Sequence, residues 1–438
     1  MLFRKIESII EEHLKSSSNK ILLIDGARQI GKTYIIRHVG KKLFPNFIEI
    51  NMIEDSLQNR FFADTMSVND FYFQLSSIAG NKMKEKNNTL IFIDEIQAYP
   101  YLLSLLKFLA QDQRYTFICS GSLLGVTLAN TPSIPMGSIR KVRMFPLDFE
   151  EFLYANGFNE YAINALHEKY INRESLNDAM HRKMLDLFKK YLIVGGLPDA
   201  VNAYIDENNI QLVREIQKET SEYYAIDASK YDLERKLHIR RIYEMIPSNM
   251  ENKKKRVFIK DIENKKWKTS SDYAEEFEYL VHSGIATRVQ AISNPTYPLI
   301  ESSSKNLLKL YMNDSGILTS ILYKNNIRPI LDDNKSINLG SVYETVIANE
   351  LMAHGHSLFY YDNRNKGEVD FLIDDDENLS IIPLEIKSGK DYQIHSALSN
   401  MIKTTDYGIH NAFVLSNARE IEIKNNITYL PIYFILFI

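Results

Sequence analysis

The sequence predicts an α/β protein built on a parallel sheet, and three observations predict it. The first is Ile21 to Thr33, an apolar run followed by Gly26-Ala-Arg-Gln-Ile-Gly-Lys-Thr33, which matches G-x-x-x-x-G-K-[ST]. The second is the alternation of short apolar strands with amphipathic stretches that follows it. The third is an α-β-β-β-α-β order between Val342 and Leu415.

Composition sets outer limits. A chain of 438 residues holds about two to four domains. Hydrophobic content of 45% and charged content of 25% are those of an ordinary globular protein. A net charge of −4 argues against a protein that coats nucleic acid but permits a local basic site. Cys119 is the single cysteine, so no internal disulfide forms. It lies in an apolar strand, as a core residue of a reducing compartment does. The first residues (Arg4, Lys5, Glu7, Glu11, Glu12) lack the apolar run of a signal peptide. Tyr429 to Ile438 is too short to span a bilayer and contains Pro431, so it is expected as a buried terminal strand. The expectation is a cytoplasmic protein with no membrane partner.

Taken in order, residues 2–14 suggest an amphipathic helix carrying Ile6, Ile9, Ile10 and Leu14. Ile21 to Ile24 form the first strand. Gly26 and Gly31 let the loop bend until the N–H groups of Gly26, Ala27, Arg28, Gln29, Ile30 and Gly31 face phosphate oxygens. The helix beginning near Lys32 adds the positive end of its dipole. Lys32 supplies a charge for the β- and γ-phosphates of ATP, and the Thr33 hydroxyl is a Mg²⁺ ligand. Further strands are expected at Asn46–Asn51, Thr89–Asp94, Tyr115–Cys119 and Ile139–Met144, with a buried helix over Leu102–Leu109.

Asp94 and Glu95 end the third strand. There Asp94 would hold Mg²⁺ through water, and Glu95 would orient and deprotonate the water attacking the γ-phosphate. By themselves they read better as acidic residues opening a helix; paired with the phosphate loop, the catalytic role is favoured. Ser120 and Ser122 follow the next strand. Either could sense the γ-phosphate, and a plain Ser-Gly-Ser turn is the alternative.

Pro146 to about Ile246 is helical in pattern, a lid beside the nucleotide. Lys253 to Lys268 then carry eight basic and two acidic residues, with Phe258 and Trp267. Asp272 and Glu275 suit a helix start, and Tyr273, Phe277, Leu280 and Val281 share one face up to Gly284. Ile285–Ile292 and Tyr297–Ile300 are expected to form a hairpin around Asn294-Pro295. Helices before a hairpin suggest a winged helix. The helix is expected to expose Asp272, Glu275, Glu276 and Glu278, which favours a structural or protein-contact role over sequence-specific DNA reading.

The last region has helical Glu344, then strands bearing Asp370, and Glu385 with Lys387 on one face. Hard carboxylate ligands and a lysine suit Mg²⁺-dependent phosphodiester cleavage. A cross-strand ion network reads equally well from spacing.

Together these motifs resemble those of a family of prokaryotic AAA-type ATPases: Gly26–Thr33, Phe92-Ile-Asp-Glu-Ile-Gln97, Ser120-Gly-Ser122, Phe145-Pro-Leu-Asp-Phe-Glu-Glu-Phe152, Gly195-Gly-Leu-Pro198, Gly367-Glu-Val-Asp-Phe371 and Pro383-Leu-Glu-Ile-Lys-Ser-Gly389. The resemblance spans nearly the whole chain. It implies an AAA core with an extra strand between the two nucleotide motifs, over 1–150, and a helical lid over 151–235. It implies a winged-helix linker over 236–302 and a restriction-endonuclease-like domain of the PD-(D/E)XK type over 303–438. It carries nucleotide roles onto Lys32, Thr33, Asp94 and Glu95, and nuclease-like roles onto Glu344, Asp370, Glu385 and Lys387. Some members have a basic residue after the glycine preceding Pro-Leu-x-Phe. Here Ser138 stands there, with Arg140 and Arg143 beyond, so no arginine finger is assigned.

The expected activity is ATP hydrolysis coupled to a nuclease-like domain, with ATP and Mg²⁺ as cofactors and DNA or RNA as candidate partners. Two alternatives stand beside it. One is an ATP switch whose C-terminal domain binds without cleaving. The other is a DNA-binding regulator, or protein-contact module, acting through the winged helix.

Overall fold

Strands that are apolar on both faces need helices above and below them, and this chain supplies both. The computed structural model describes all residues except 17, 123, 125–135, 229–235, 253–254, 264–267, 303–306, 333–338 and 390–391. The chain divides into two compact units. One is Arg4–Phe145 with His282–Gly284; the other is Met1–Phe3, Pro146–Val281 and Ile285–Ile438.

The first unit holds a five-stranded sheet of β1 (Ile21–Asp25), β2 (Asn46–Asn51), β3 (Thr89–Asp94), β4 (Thr116–Gly121) and β5 (Ile139–Arg143). Its order is β2-β3-β4-β1-β5 and every pairing is parallel. β4 therefore lies between the two strands that carry the nucleotide motifs. One face packs Leu23, Ile91, Ile93, Phe117 and Cys119 against Phe71, Leu75, Leu102 and Leu106. Leu22, Ile24, Phe92 and Ile118 are buried as well, as are Ile35, Ile36 and Val39 of the helix Lys32–Leu43.

The second unit opens with helices from Phe149–Ala155 to Lys236–Glu251. The first is fixed by a capping box, Asp148 with Glu151. Gly196 lies against Leu147: its carbonyl accepts the Leu147 N–H at 2.7 Å, and a Cβ would meet the Leu147 oxygen at 2.1 Å. Asp314 accepts the Gly196 N–H at 2.6 Å and caps the helix Ser315–Tyr323 through the Ile317 N–H at 2.9 Å. These contacts give the Gly-Gly-Leu-Pro and Pro-Leu-Asp motifs a packing reason.

An eight-stranded sheet completes this unit: β6 (Ala286–Ile292), β7 (Leu308–Met312), β8 (Phe359–Asn363), β9 (Gly367–Asp375), β10 (Ser380–Lys387), β11 (Ala412–Ser416), β12 (Glu422–Lys424) and β13 (Ile427–Pro431). Its order is β12-β13-β11-β10-β9-β8-β6-β7. Ile292, Phe359, Tyr361, Leu372 and Val414 pack under the helix Ser396–Ile402 through Leu398 and Met401.

Three expectations are corrected. The return strand at Tyr297–Ile300 does not form; Leu299–Ser302 is a short helix. Pro295 and Pro298 have no N–H to give a ladder. β6 pairs instead with β7, antiparallel, and with β8, parallel, so the expected wing is an edge of the C-terminal sheet. The expected cap lies one turn early: Thr269 caps, reciprocated by Asp272. The terminal strand stops at Pro431, and Ile432–Phe437 is a buried 3₁₀ turn.

Candidate functional site

Gly26 has φ +147° and Gly31 φ +91°, backbone that a side chain would strain. A Cβ on Gly26 would also meet the Met144 carbonyl oxygen at 2.3 Å. Between them the loop closes on Lys32, which is 6% exposed and donates to the carbonyls of Gly26 (2.9 Å) and Ala27 (2.6 Å). Burial lowers its pKa, while Glu95, Asp25 and Asp94 pull the other way. Asp25 accepts the Gly26 N–H at 2.8 Å and pairs with Lys141 at 3.1 Å.

β1 and β3 bring their ends together. The Thr33 hydroxyl donates to Asp94 Oδ2 at 2.9 Å, and the Ser120 hydroxyl donates to Asp94 Oδ1. Burial raises the Asp94 carboxyl against those two hydrogen bonds. A buried carboxylate beside a threonine hydroxyl suits a hard divalent cation, so these residues fit Mg²⁺. Glu95 stands in left-handed backbone, φ +51° and ψ +44°, uncommon for a residue with a Cβ and frequent at functional turns. Its Oε2 accepts from the Ser122 hydroxyl at 3.0 Å and from the Gln97 amide. Arg28 Nε donates to the same Ser122 hydroxyl at 3.3 Å. Ser120 and Ser122 therefore contact Asp94 and Glu95 respectively.

Arg4 was not singled out from the sequence. It is buried and donates to the carbonyls of Ile30 (2.9 Å) and Phe145 (2.7 Å), tying the phosphate loop to the chain after β5. A lone arginine beside an amphipathic helix carries no signal of this.

The second unit gathers the other predicted residues. β9 and β10 pair through Leu384 opposite Phe371, and Asp370 accepts the Ile386 N–H at 2.8 Å. Lys387 pairs with Glu385 Oε1 at 2.7 Å. Glu385 Oε2 is buried and has no hydrogen-bond partner among the described residues. Both oxygens of Glu344 are engaged, by Lys255 and by the Tyr311 hydroxyl at 2.9 Å. Lys309, 1% exposed, pairs with Glu368 at 2.7 Å. Burial raises the Asp370 carboxyl far above its usual range, and Glu385 and Glu344 add to it. Burial also acts to raise Glu344, but Lys255 and Lys309 outweigh it and hold that carboxyl low. Among the described residues, no three His, Cys, Asp or Glu side chains are grouped to hold a metal ion.

Lys255 and Arg256 of the basic run turn inward, whereas Lys260 and Lys268 are exposed. Lys255 meets Glu344, and Arg256 pairs with Asp362 (2.9 Å) and Glu368 (3.1 Å). Lys253, Lys254, Lys265, Lys266 and Trp267 lie outside the described residues.

Comparison with known proteins follows this division. Residues 18–153 match the family described as "AAA domain". Residues 185–328 and 339–435 match two families described as domains of unknown function, DUF8612 and DUF4143. The chain is 25% identical over 369 residues to the uncharacterized protein MJ1544 of Methanocaldococcus jannaschii, covering 82% of this chain and 73% of that one. Among solved structures, the Walker-type ATPase PABY2304 of Pyrococcus abyssi superposes with a TM-score of 0.41 at 15% identity, covering 74% of this chain and 96% of that one. The Thermotoga maritima RuvB Holliday junction branch migration motor superposes with a TM-score of 0.30 at 15% identity, covering 66% and 90%. The domain match, with a parallel sheet carrying both nucleotide motifs, defines a P-loop ATPase-like domain of AAA type. Among the described residues, no helix is long and apolar enough to cross a membrane.

Proposed function

We propose that the chain binds and hydrolyses ATP in its AAA-type unit and couples this to a nuclease-like C-terminal region, with nucleic acid as the substrate class. One observation carries the ATPase reading: Lys32, Thr33, Asp94 and Glu95 converge at the carboxyl edge of one parallel sheet. Lys32 leaves its loop carbonyls for the β- and γ-phosphates, a stronger partner for a desolvated ammonium. Thr33 and Asp94 would hold Mg²⁺, which would screen the phosphate charge. Glu95 orients a water toward the γ-phosphorus and takes its proton as the bond to ADP breaks. Ser122, itself held by Arg28, fixes the Glu95 carboxylate.

In the C-terminal region Asp370 and Glu385 fit a divalent cation through the partnerless Glu385 oxygen, and Lys387 positions the water or the phosphate. A non-cleaving switch is the second reading, favoured by lysines already paired in and around this site, Lys387 with Glu385, Lys255 with Glu344 and Lys309 with Glu368. Two measurements test the proposal. Lys32→Ala should abolish binding of a fluorescent ATP analogue. Wild-type chain with Mn²⁺ should cleave single- or double-stranded nucleic acid, and Asp370→Ala should not. Undiminished nucleotide binding by Lys32→Ala contradicts the ATP site. Metal binding without cleavage selects the switch.

A further inference from the structure

Glu344, Asp370 and Glu385 share their site with three ammonium groups, those of Lys255, Lys309 and Lys387. Lys309 is built into β7 and Lys387 into β10, so both are fixed by the sheet. Lys255 is different. It reaches Glu344, 89 positions away, from the segment after the helix Lys236–Glu251, and stands in left-handed backbone at φ +48°. That conformation is uncommon for a residue with a Cβ and occurs where surrounding contacts hold it. The segment is tied down next to it: the Lys255 N–H donates to Asn252 O at 3.0 Å and the Val257 N–H to Leu308 O at 3.2 Å.

The consequence falls on Glu344. Its Oε1 is engaged by Lys255 and its Oε2 by Tyr311, whereas Glu385 keeps a buried oxygen, Oε2, with no hydrogen-bond partner among the described residues. We propose that Lys255 is a tethered counter-ion that locks Glu344 and keeps divalent cations out of the C-terminal site. Lys255 is thus a positioning residue for Glu344. The inference rests on the reading of Glu344, Asp370 and Glu385 as a cation site.

The test is a Mn²⁺ titration of the full nucleotide-free chain, followed by electron paramagnetic resonance. The C-terminal component is defined as the part lost on Asp370→Asn. Lys255→Met should tighten that component by at least about tenfold, the scale on which one neighbouring charge shifts a buried carboxylate. Lys255→Arg, which keeps the charge, should titrate as wild type does. Lys255→Gln keeps a donor for Glu344 and replaces Lys255→Met if that variant does not fold. If wild type and Lys255→Met bind Mn²⁺ equally at the Asp370-dependent site, the lock is wrong and the cation site stands. If neither shows such a component, the cation site itself falls, and the lock with it.

Discussion

The Ser122 hydroxyl donates to the Glu95 carboxylate at 3.0 Å, joining the end of β4 to the turn after β3. Arg28 in the phosphate loop donates to the same hydroxyl. Glu95 is thereby positioned by the strand inserted between the two nucleotide motifs. Ser122→Ala removes one of its hydrogen bonds and keeps the Gln97 amide contact. ATP turnover should fall about ten- to a hundredfold, the effect of one hydrogen bond to a charged group, with nucleotide affinity unchanged. Single-turnover hydrolysis beside a binding titration checks this. Unchanged turnover would mean the hydroxyl does not orient Glu95.

Arg4 anchors the loop from outside the motif. Its guanidinium holds the Ile30 and Phe145 carbonyls. Arg4→Met keeps much of the aliphatic bulk and loses these charge-assisted bonds. Nucleotide affinity should weaken by about tenfold and the melting temperature should drop, because a preorganised loop then has to be ordered on binding. Isothermal titration with a non-hydrolysable ATP analogue reads the first effect. Wild-type affinity in this variant would show that the loop holds its shape unaided.

Arg256 separates a structural role from a nucleic-acid role for the basic run. It is nearly buried, pairs with Asp362 and Glu368, and lies over the Tyr360 ring at 5.7 Å. Arg256→Ala should destabilise the chain by about 1–3 kcal/mol, less than a fully buried pair because Glu368 is partly exposed. The slope of log affinity against log salt for nucleic acid should not move. A slope flattened by about one unit would instead mark a phosphate contact.

Much of the first unit was legible in the sequence because its signals are local. The glycine spacing, the apolar strands and the acidic strand end each lie within a few residues, and the parallel order follows from strand–helix alternation. The edge of the second sheet was not legible. β7 pairs with β6 across a connection that contains a short helix, and Pro295 and Pro298 supplied a turn signal without a hairpin. Lys255 and Arg256 were equally opaque. A basic run reads as a solvated or phosphate-facing surface, and their partners Glu344 and Glu368 lie 89 and 112 positions away. The Thr269 cap hid behind Asp272, which also suits a helix start.

The AAA-type unit is expected to hydrolyse ATP through Glu95. Steady-state phosphate release with Mg²⁺, measured on wild type and Glu95→Gln beside a binding titration, tests it most directly. Wild type should turn over, and Glu95→Gln should bind ATP as tightly while losing about a hundredfold or more of the rate, since only proton transfer is removed. Turnover by Glu95→Gln equal to wild type, or none by a wild-type chain that binds ATP, would contradict the account.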